Sequence, residues 1–132
     1  MTLYLDSSAL VKLIIDEPET DDLWDYVGVS SLASAMIART ELLRAVGRRL
    51  PQRLTDAEDL LDDIELINVD RQLTTFAARL RPWALRSLDA LHVAGAVQLQ
   101  LALEALVTYD KRMIDAARAA GMRVVSPGDG TA

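Results

Sequence analysis

Four acidic side chains differ from the other carboxylates of the chain because their sequence neighbours are apolar. The chain contains 20 aspartate and glutamate residues. Most of them fall in two acidic clusters, 16–25 and 56–65, a pattern typical of solvated helix faces and caps. Four of the acids outside these clusters have different surroundings: Asp6, Glu41, Asp89 and Asp110. The first and last of these follow apolar runs that predict strands, and the carboxyl ends of strands are where open α/β sheets bind ligands.

The chemistry available to such a set depends on whether the four carboxylates converge. Converging carboxylates repel one another, so burying them together is costly unless protons or a cation intervene. Mg²⁺ and Mn²⁺ suit an all-oxygen ligand set. A site of this kind can lower the pKa of a bound water and stabilise the oxygens of an in-line displacement at phosphorus. The residue types therefore indicate a divalent-metal site, without identifying a substrate.

Each of the four acids also has an ordinary structural interpretation. Asp6 and Asp110 could cap the helices that follow them. Asp89 could be a first-turn residue that the helix dipole stabilises. Glu41 could pair with an arginine three or seven residues further along its own helix. Composition and spacing alone leave these interpretations open beside the metal site.

Several polar and basic residues near the acids could support them. Ser8 and Thr108 could orient a carboxylate or a metal-bound water, or they could only satisfy backbone groups in turns. Three arginines could hold phosphate groups beside the acids, or could only offset the local negative charge. These are Arg44, Arg48 and Arg86.

The single histidine and the two tryptophans have weaker functional interpretations. His92 follows the third acid by about one helical turn and could act as a proton shuttle, but a packed, hydrogen-bonded histidine is the favoured interpretation. Trp24 and Trp83 could stack on unpaired bases. Packing in the core or in a dimer interface is favoured for both tryptophans.

Length, charge and composition limit the class of protein. The 132 residues predict a single domain spanning 1–132. The absence of cysteine excludes disulfides and thiolate zinc sites and favours the reducing cytoplasm. No secretory leader and no apolar run of the ~20 residues that a membrane helix needs is visible. The net charge of −6 is unlike that of a typical nucleic-acid-binding protein, so any nucleic-acid contact must be local.

Strand and helix patterns alternate along the chain, which predicts a parallel sheet with helices on both faces. Ser7 or Ser8 is predicted to cap the first helix, Pro18 to open the second, and the capping-box pattern at 55–58 to begin the fourth. Strand-like segments are 3–5, 29–32, 66–69, 105–108 and 123–125. A run of small residues at 94–96 suggests close packing of its helix against a neighbour.

Five short segments together resemble one known family. They read LDSSALVKL (5–13), ARTELLRA (38–45), LDALHVA (88–94), VTYDKRM (107–113) and VVSPG (124–128). Each of the first four contains one of the four acids. In order and spacing, the segments resemble the motifs of PIN-domain ribonucleases of the VapC type, the toxins of bacterial type II toxin–antitoxin systems. The resemblance covers almost the whole chain.

The resemblance implies a three-layer α/β fold, with a short central parallel sheet of about four or five strands flanked by helices on both faces. It also implies an endoribonuclease that uses Mg²⁺, with Mn²⁺ as a substitute. Asp6, Glu41, Asp89 and Asp110 would be both its metal ligands and its catalytic residues. The expected partners are RNA, a second copy of the chain in a homodimer, and a small VapB-like antitoxin that covers the site.

Two other functions remain open from the residues. One is a PIN-like module that binds RNA or a protein without cutting, which the net charge of −6 keeps open. The other is a phosphatase or a response-regulator receiver with Asp6 as nucleophile. Ser8 stands where a haloacid-dehalogenase-type phosphatase would have a second aspartate. A receiver would also carry an early acidic pair and a late-strand lysine, which makes this alternative the least favoured.

Overall fold

The computed structural model describes residues 1–129, and residues 130–132 of the predicted domain lie outside the described part. Within that range, five strands form one sheet in the order β3-β2-β1-β4-β5. All neighbouring pairs are parallel, as the alternating pattern predicts. The strands are β1 (Thr2–Leu5), β2 (Ser31–Ala35), β3 (Glu65–Ile67), β4 (Leu103–Val107) and β5 (Val124–Val125).

Seven α-helices cover the sheet in the described part of the chain. Side chains alternate between the two faces of a strand, so β1 contributes to both layers. Leu3 and Leu5 pack with α1 to α4, while Tyr4 packs against α6 and α7 on the opposite face. The helices are α1 (Ser7–Ile14), α2 (Thr20–Val27), α3 (Ile37–Arg49), α4 (Leu54–Asp62), α5 (Arg71–Ala78), α6 (Ser87–Gln98) and α7 (Lys111–Ala119). The predicted three-layer α/β fold is confirmed.

The starts of several elements differ from the sequence predictions. The first helix is capped by Asp6, because its extended backbone lets its side chain accept from a helical N–H, whereas Ser7 is already helical. The second helix begins at Thr20 rather than Pro18. The capping-box prediction is wrong, since Thr55 already lies inside α4, which follows a 3₁₀ turn and has no side-chain cap. The second strand occupies Ser31–Ala35 rather than 29–32, because Gly28 turns with φ +50° just before it.

The carboxyl ends of the parallel strands meet at one edge of the sheet. The central strand β1 has β2 on one side and β4 on the other, so chain connections run from β1 in opposite directions. This is the arrangement that leaves a ligand-binding crevice in open α/β sheets. Across residues 1–129, no helix combines the length and the apolar character needed to span a membrane.

Candidate active site

The candidate site lies at the carboxyl ends of β1 and β4. The backbones of these strands pair through Leu5 and Val107, and the next residue of β1, Asp6, donates its N–H to the Val107 carbonyl at 3.3 Å. Thr108 immediately follows Val107. Strand pairing therefore brings together two polar side chains that are 102 positions apart in the sequence.

Asp6 is held by hydrogen bonds to both of its carboxylate oxygens. Oδ1 accepts from the Ser8 hydroxyl at 2.7 Å and from the Ala9 N–H at 3.1 Å, which caps α1. Oδ2 accepts from the Thr108 hydroxyl at 2.6 Å. The residue is only 3% exposed. The two residues predicted to support the site, Ser8 and Thr108, thus both contact the same carboxylate.

Burial raises the pKa of Asp6 above its ordinary value. The proximity of His92 and the bonds from Thr108, Ser8 and the Ala9 N–H act in the opposite direction but do not outweigh burial. Desolvation disfavours the charged form of an acid. Ionisation of Asp6 therefore costs free energy in the folded chain. Residues with pKa values perturbed in this way are concentrated at functional sites.

This cost predicts a pH-dependent stability of the metal-free protein. Because the folded state binds the Asp6 proton more tightly than the unfolded state, the free energy of unfolding falls as the pH rises from 3.8 through the raised pKa. Asp6→Asn removes this titration. We expect the variant to be more stable than the wild type at pH 7.5 and to lose this advantage toward pH 4, as measured by urea unfolding in EDTA. A stability difference that is the same at every pH would contradict this prediction.

A second set of contacts holds Glu41. Its Oε1 accepts from the Ser7 hydroxyl at 2.5 Å and from His92 Nε2 at 2.8 Å. His92 is buried, and its Nδ1 lies 2.8 Å from the Tyr4 hydroxyl. Burial, foremost among several causes, raises the pKa of Tyr4 well above its usual value, so this hydroxyl stays protonated. Because an ionised carboxylate only accepts hydrogen bonds, Nε2 is the donor in its bond to Glu41.

The carboxyl group of Glu41 therefore ionises at a lower pH than its burial alone would allow. Burial is the largest single effect and opposes ionisation, but the hydrogen bonds from His92 and Ser7, together with the proximity of His92, lower its pKa below the ordinary value. Its side chain bonds to these two residues rather than to Arg44 or Arg48, which are exposed. The packed, hydrogen-bonded interpretation of the histidine is confirmed.

Tyr4 and Ser7 were not predicted as site residues from the sequence. Tyr4 stands between two leucines of β1, and its ring reaches α6 only because position 95 has no side chain: a Cβ atom on Gly95 would lie 2.9 Å from the Tyr4 hydroxyl oxygen. The small-residue run of α6 was a signal of this close approach. The signal for Ser7 was its place directly after the first acid, where it was considered only as a cap.

The other two acids lie at the starts of helices on the same side of the sheet. Asp110 caps α7, and its Oδ1 accepts from the Arg112 N–H at 2.9 Å and the Met113 N–H at 3.3 Å. Asp89 lies in the first turn of α6 and is partly buried. The capping interpretation of Asp110 is therefore correct, and capping leaves its second oxygen available.

The pKa of Asp89 shows that the acids act on one another. Burial raises it most, and the negative charge of Asp110 raises it next. Arg86 and His92 lower this pKa, and the charge of Glu41 raises it further. Three of the four carboxylates are thus close enough to interact electrostatically, and Asp6 shares His92 with Glu41 as a neighbour.

The donor set fits Mg²⁺ by its chemistry, since all four side chains offer carboxylate oxygens and their mutual repulsion would be relieved by a cation. The arrangement is not a closed cage. Within residues 1–129, no three His, Cys, Asp or Glu side chains are grouped so that they could hold a metal ion as they stand. Asp89 and Asp110 are partly exposed and so remain accessible to an ion from solvent.

The predicted phosphate-contacting arginines and the two tryptophans lie at the surface. Arg44, Arg48 and Arg86 are exposed, and only Arg86 has a charge that changes the pKa of Asp89. Trp24 and Trp83 are 46% and 65% exposed, so the prediction that they pack in the core is wrong. The alternative of a dimer interface stays a prediction.

Comparison with known proteins matches this chain to one family model and to several relatives of similar length. The family model of the PIN domain matches residues 3–119. Ribonuclease VapC46 of Mycobacterium tuberculosis is 40% identical over 126 residues, covering 95% of this chain and 97% of that protein. Ribonuclease VapC47 of the same species is 38% identical over 132 residues, covering 96% and 97%.

Solved structures resemble the fold at lower sequence identity. VapBC2 from Rickettsia felis, bound to a DNA fragment from its promoter, superimposes with a TM-score of 0.74 at 19% identity, covering 96% of this chain and 99% of that chain. Mycobacterium tuberculosis VapC20, a sarcin–ricin loop cleaving toxin, gives a TM-score of 0.72 at 16% identity, covering 95% and 99%. These similarities support the three-layer fold.

Proposed function

The chain belongs to the PIN domain family, and from this premise we propose that it is a Mg²⁺-dependent endoribonuclease toxin that a small antitoxin neutralises. Relatives named as VapC ribonucleases support the activity. The observation that carries the proposal is the placement of Asp6, which is buried at the carboxyl edge of the sheet and shares a histidine neighbour with Glu41. Mn²⁺ is expected to replace Mg²⁺.

The residues of the proposed site have two roles, metal binding and positioning of the metal-binding carboxylates. Asp6, Glu41, Asp89 and Asp110 would hold the metal, which when bound supplies an activated water and charge stabilisation at the phosphate. Thr108 and Ser8 fix the two oxygens of Asp6, while His92 and Ser7 fix one oxygen of Glu41. Residues held in this way lose little freedom when substrate binds, which favours a reactive geometry.

Cleavage is expected to depend strictly on a divalent cation. The purified protein should cut a labelled RNA in Mg²⁺ or Mn²⁺, stop in EDTA, and resume when the metal is added back. Product fragments are read on a denaturing gel, and mass spectrometry of their ends identifies the bond broken. Cleavage that persists unchanged in EDTA would contradict a metal-dependent site.

One observation favours a second candidate, a PIN-like module that binds RNA or protein without cutting. Among the residues that the structure describes, the acids are not grouped as a ready-made metal site. Isothermal titration with Mn²⁺ separates the two candidates. Heat of binding that is lost in Asp6→Asn supports the enzyme, whereas no binding at millimolar Mn²⁺ supports the module.

The partners follow from the same family. The solved structures that resemble this fold include a toxin–antitoxin complex from Klebsiella pneumoniae and DNA-bound VapBC from Salmonella typhimurium. We expect this chain to bind a VapB-like antitoxin, to form a homodimer and to act on RNA in the cytoplasm. Co-expression with the neighbouring reading frame, followed by purification through a tag on one chain only, tests the antitoxin partner.

A further inference from the structure

A surface of arginines and aromatic rings lies beside α6, the helix that carries Asp89. Residues 71–86, which form α5 and the loop leading into α6, contain four arginines and no acidic residue. The chain as a whole carries −6. The arginines are Arg71, Arg79, Arg81 and Arg86. This segment, called the Arg–Trp surface below, is therefore a local exception to the acidic character of the chain.

The aromatic side chains of the Arg–Trp surface are open to solvent. Trp83 is 65% exposed and Phe76 is 45% exposed. The guanidinium carbon of Arg81 lies 4.3 Å from the centroid of the Trp83 ring, a cation–π distance. Arg71, Phe76 and Arg79 also line an open groove of about 730 Å³. Charge and flat apolar surface are thus available in the same place.

The Arg–Trp surface extends to the start of α6, the helix that carries Asp89. A second groove, of about 370 Å³, shares Leu80 with the first and is lined by Trp83 and by Ser87, the first residue of α6. Arg86 stands between these two residues of the chain, three positions before Asp89. A strand that occupies both grooves would therefore reach the helix that carries one of the four acids.

We propose that the Arg–Trp surface binds an unpaired segment of the RNA substrate; this inference rests on the proposed ribonuclease function. Arginine guanidinium groups match phosphate oxygens, and an exposed indole offers a stacking platform for an unpaired base. A second copy of the chain fits poorly, because a two-fold interface would bring the same positive patch against itself. Charge complementarity thus favours a polyanion.

The other exposed tryptophan provides a matched control. Trp24 is 46% exposed on α2, where its neighbours include Asp21, Asp22 and Asp25. It has an exposed ring but acidic surroundings, which repel phosphate. Comparing the two tryptophans separates the effect of the Arg–Trp surface from the general effect of losing an exposed aromatic side chain.

The test measures binding of an end-labelled, unstructured RNA of about 12 nucleotides by fluorescence anisotropy in EDTA, which keeps the strand intact. We expect Trp83→Ala to raise the Kd about 5-fold or more and to abolish the RNA-induced quenching of tryptophan fluorescence. Trp24→Ala should leave both unchanged. Arg81→Gln should reduce the slope of log Kd against log salt concentration by about 0.7, the value for one phosphate contact in a single strand.

Two results would overturn this inference: no RNA binding by the wild type, or equal binding by the wild type and Trp83→Ala. A change of oligomeric state in Trp83→Ala, with RNA affinity intact, would instead assign the surface to a second copy of the chain. Loss of binding to the co-expressed antitoxin, with RNA affinity intact, would assign it to that protein. RNA binding that depends on Trp83 without any cleavage in Mg²⁺ would overturn the proposed function only.

Discussion

Asp6→Asn is expected to lower the rate of RNA cleavage in Mg²⁺ by about 1000-fold or more, because a metal site contributes several kcal/mol of transition-state stabilisation and each 1.36 kcal/mol is a factor of ten. The substitution removes the buried negative charge but keeps the shape of the side chain. It also leaves an oxygen that can accept from the Ala9 N–H, so α1 keeps a cap. Initial rates on a labelled RNA, measured at several Mg²⁺ concentrations, give the effect.

Asp70→Asn is the matched control. Asp70 caps α5 as Asp6 caps α1, by accepting from the N–H three residues ahead, at 2.9 Å from Leu73. It is exposed, and it is not one of the four acids of the site. We expect this variant to cut RNA at the rate of the wild type.

The two variants distinguish catalysis from folding. Asp6→Asn should be inactive yet folded, with a thermal midpoint in EDTA at neutral pH at least as high as that of the wild type, because the buried charge is gone. An Asp6→Asn protein that is inactive and unfolded would show that the side chain acts through capping. Full activity in Asp6→Asn would contradict the role of this carboxylate in the reaction.

Gly95→Ala is expected to destabilise the fold by up to about 2 kcal/mol. The added Cβ would lie 2.9 Å from the hydroxyl oxygen and 3.1 Å from Cε2 of Tyr4, whose side chain is fully buried. Overpacking of this kind costs roughly 1–3 kcal/mol, partly offset by the ~1 kcal/mol that alanine gains over glycine in a helix. For a chain of this size, we expect the thermal midpoint to fall by up to about 8 °C.

Gly47→Ala is the control for helix propensity. Gly47 also lies in a helix, α3, but a Cβ there would meet only the Cδ2 atom of Leu54, at the ordinary distance of 3.8 Å. The free energy of unfolding of this variant should rise by about 0.5–1 kcal/mol. Equal midpoints for the two variants would contradict the close approach of Tyr4 to α6.

A double-mutant cycle tests the chain of contacts that leads to Glu41. Tyr4→Phe removes the hydroxyl that the new Cβ would meet first, so Gly95→Ala should cost less in that background. Because the hydroxyl is also hydrogen-bonded to His92, each single variant should lower cleavage by about 10- to 100-fold, the usual effect of losing a residue that orients a ligand. Additive stability effects would indicate that the two positions do not interact.

The elements could be predicted from the sequence because their signals are local. Short apolar runs indicate the strands, and a 3.6-residue periodicity indicates the helices. Because strands and helices alternate along the chain, the sheet is expected to be parallel. Apolar sequence neighbours, two strand-end positions and the family motifs together single out Asp6, Glu41, Asp89 and Asp110 among the 20 acids of the chain. Apolar neighbours alone do not, since Glu104 also stands in an apolar run. Helix starts were less reliable, because several residues next to a boundary can cap and backbone dihedrals decide which one does.

The sequence by itself determined which carboxylates are candidates, the order of strands and helices along the chain, and the family. Only the tertiary structure decided which side chains those carboxylates meet. Thr108 reaches Asp6 across 102 positions and His92 reaches Glu41 across 51, through parallel pairing of β1 with β4 and packing of α6 on the sheet. It also decided that Trp83 is exposed beside arginines rather than buried. Such partners are distant in sequence, and no local periodicity encodes the register or packing that joins them.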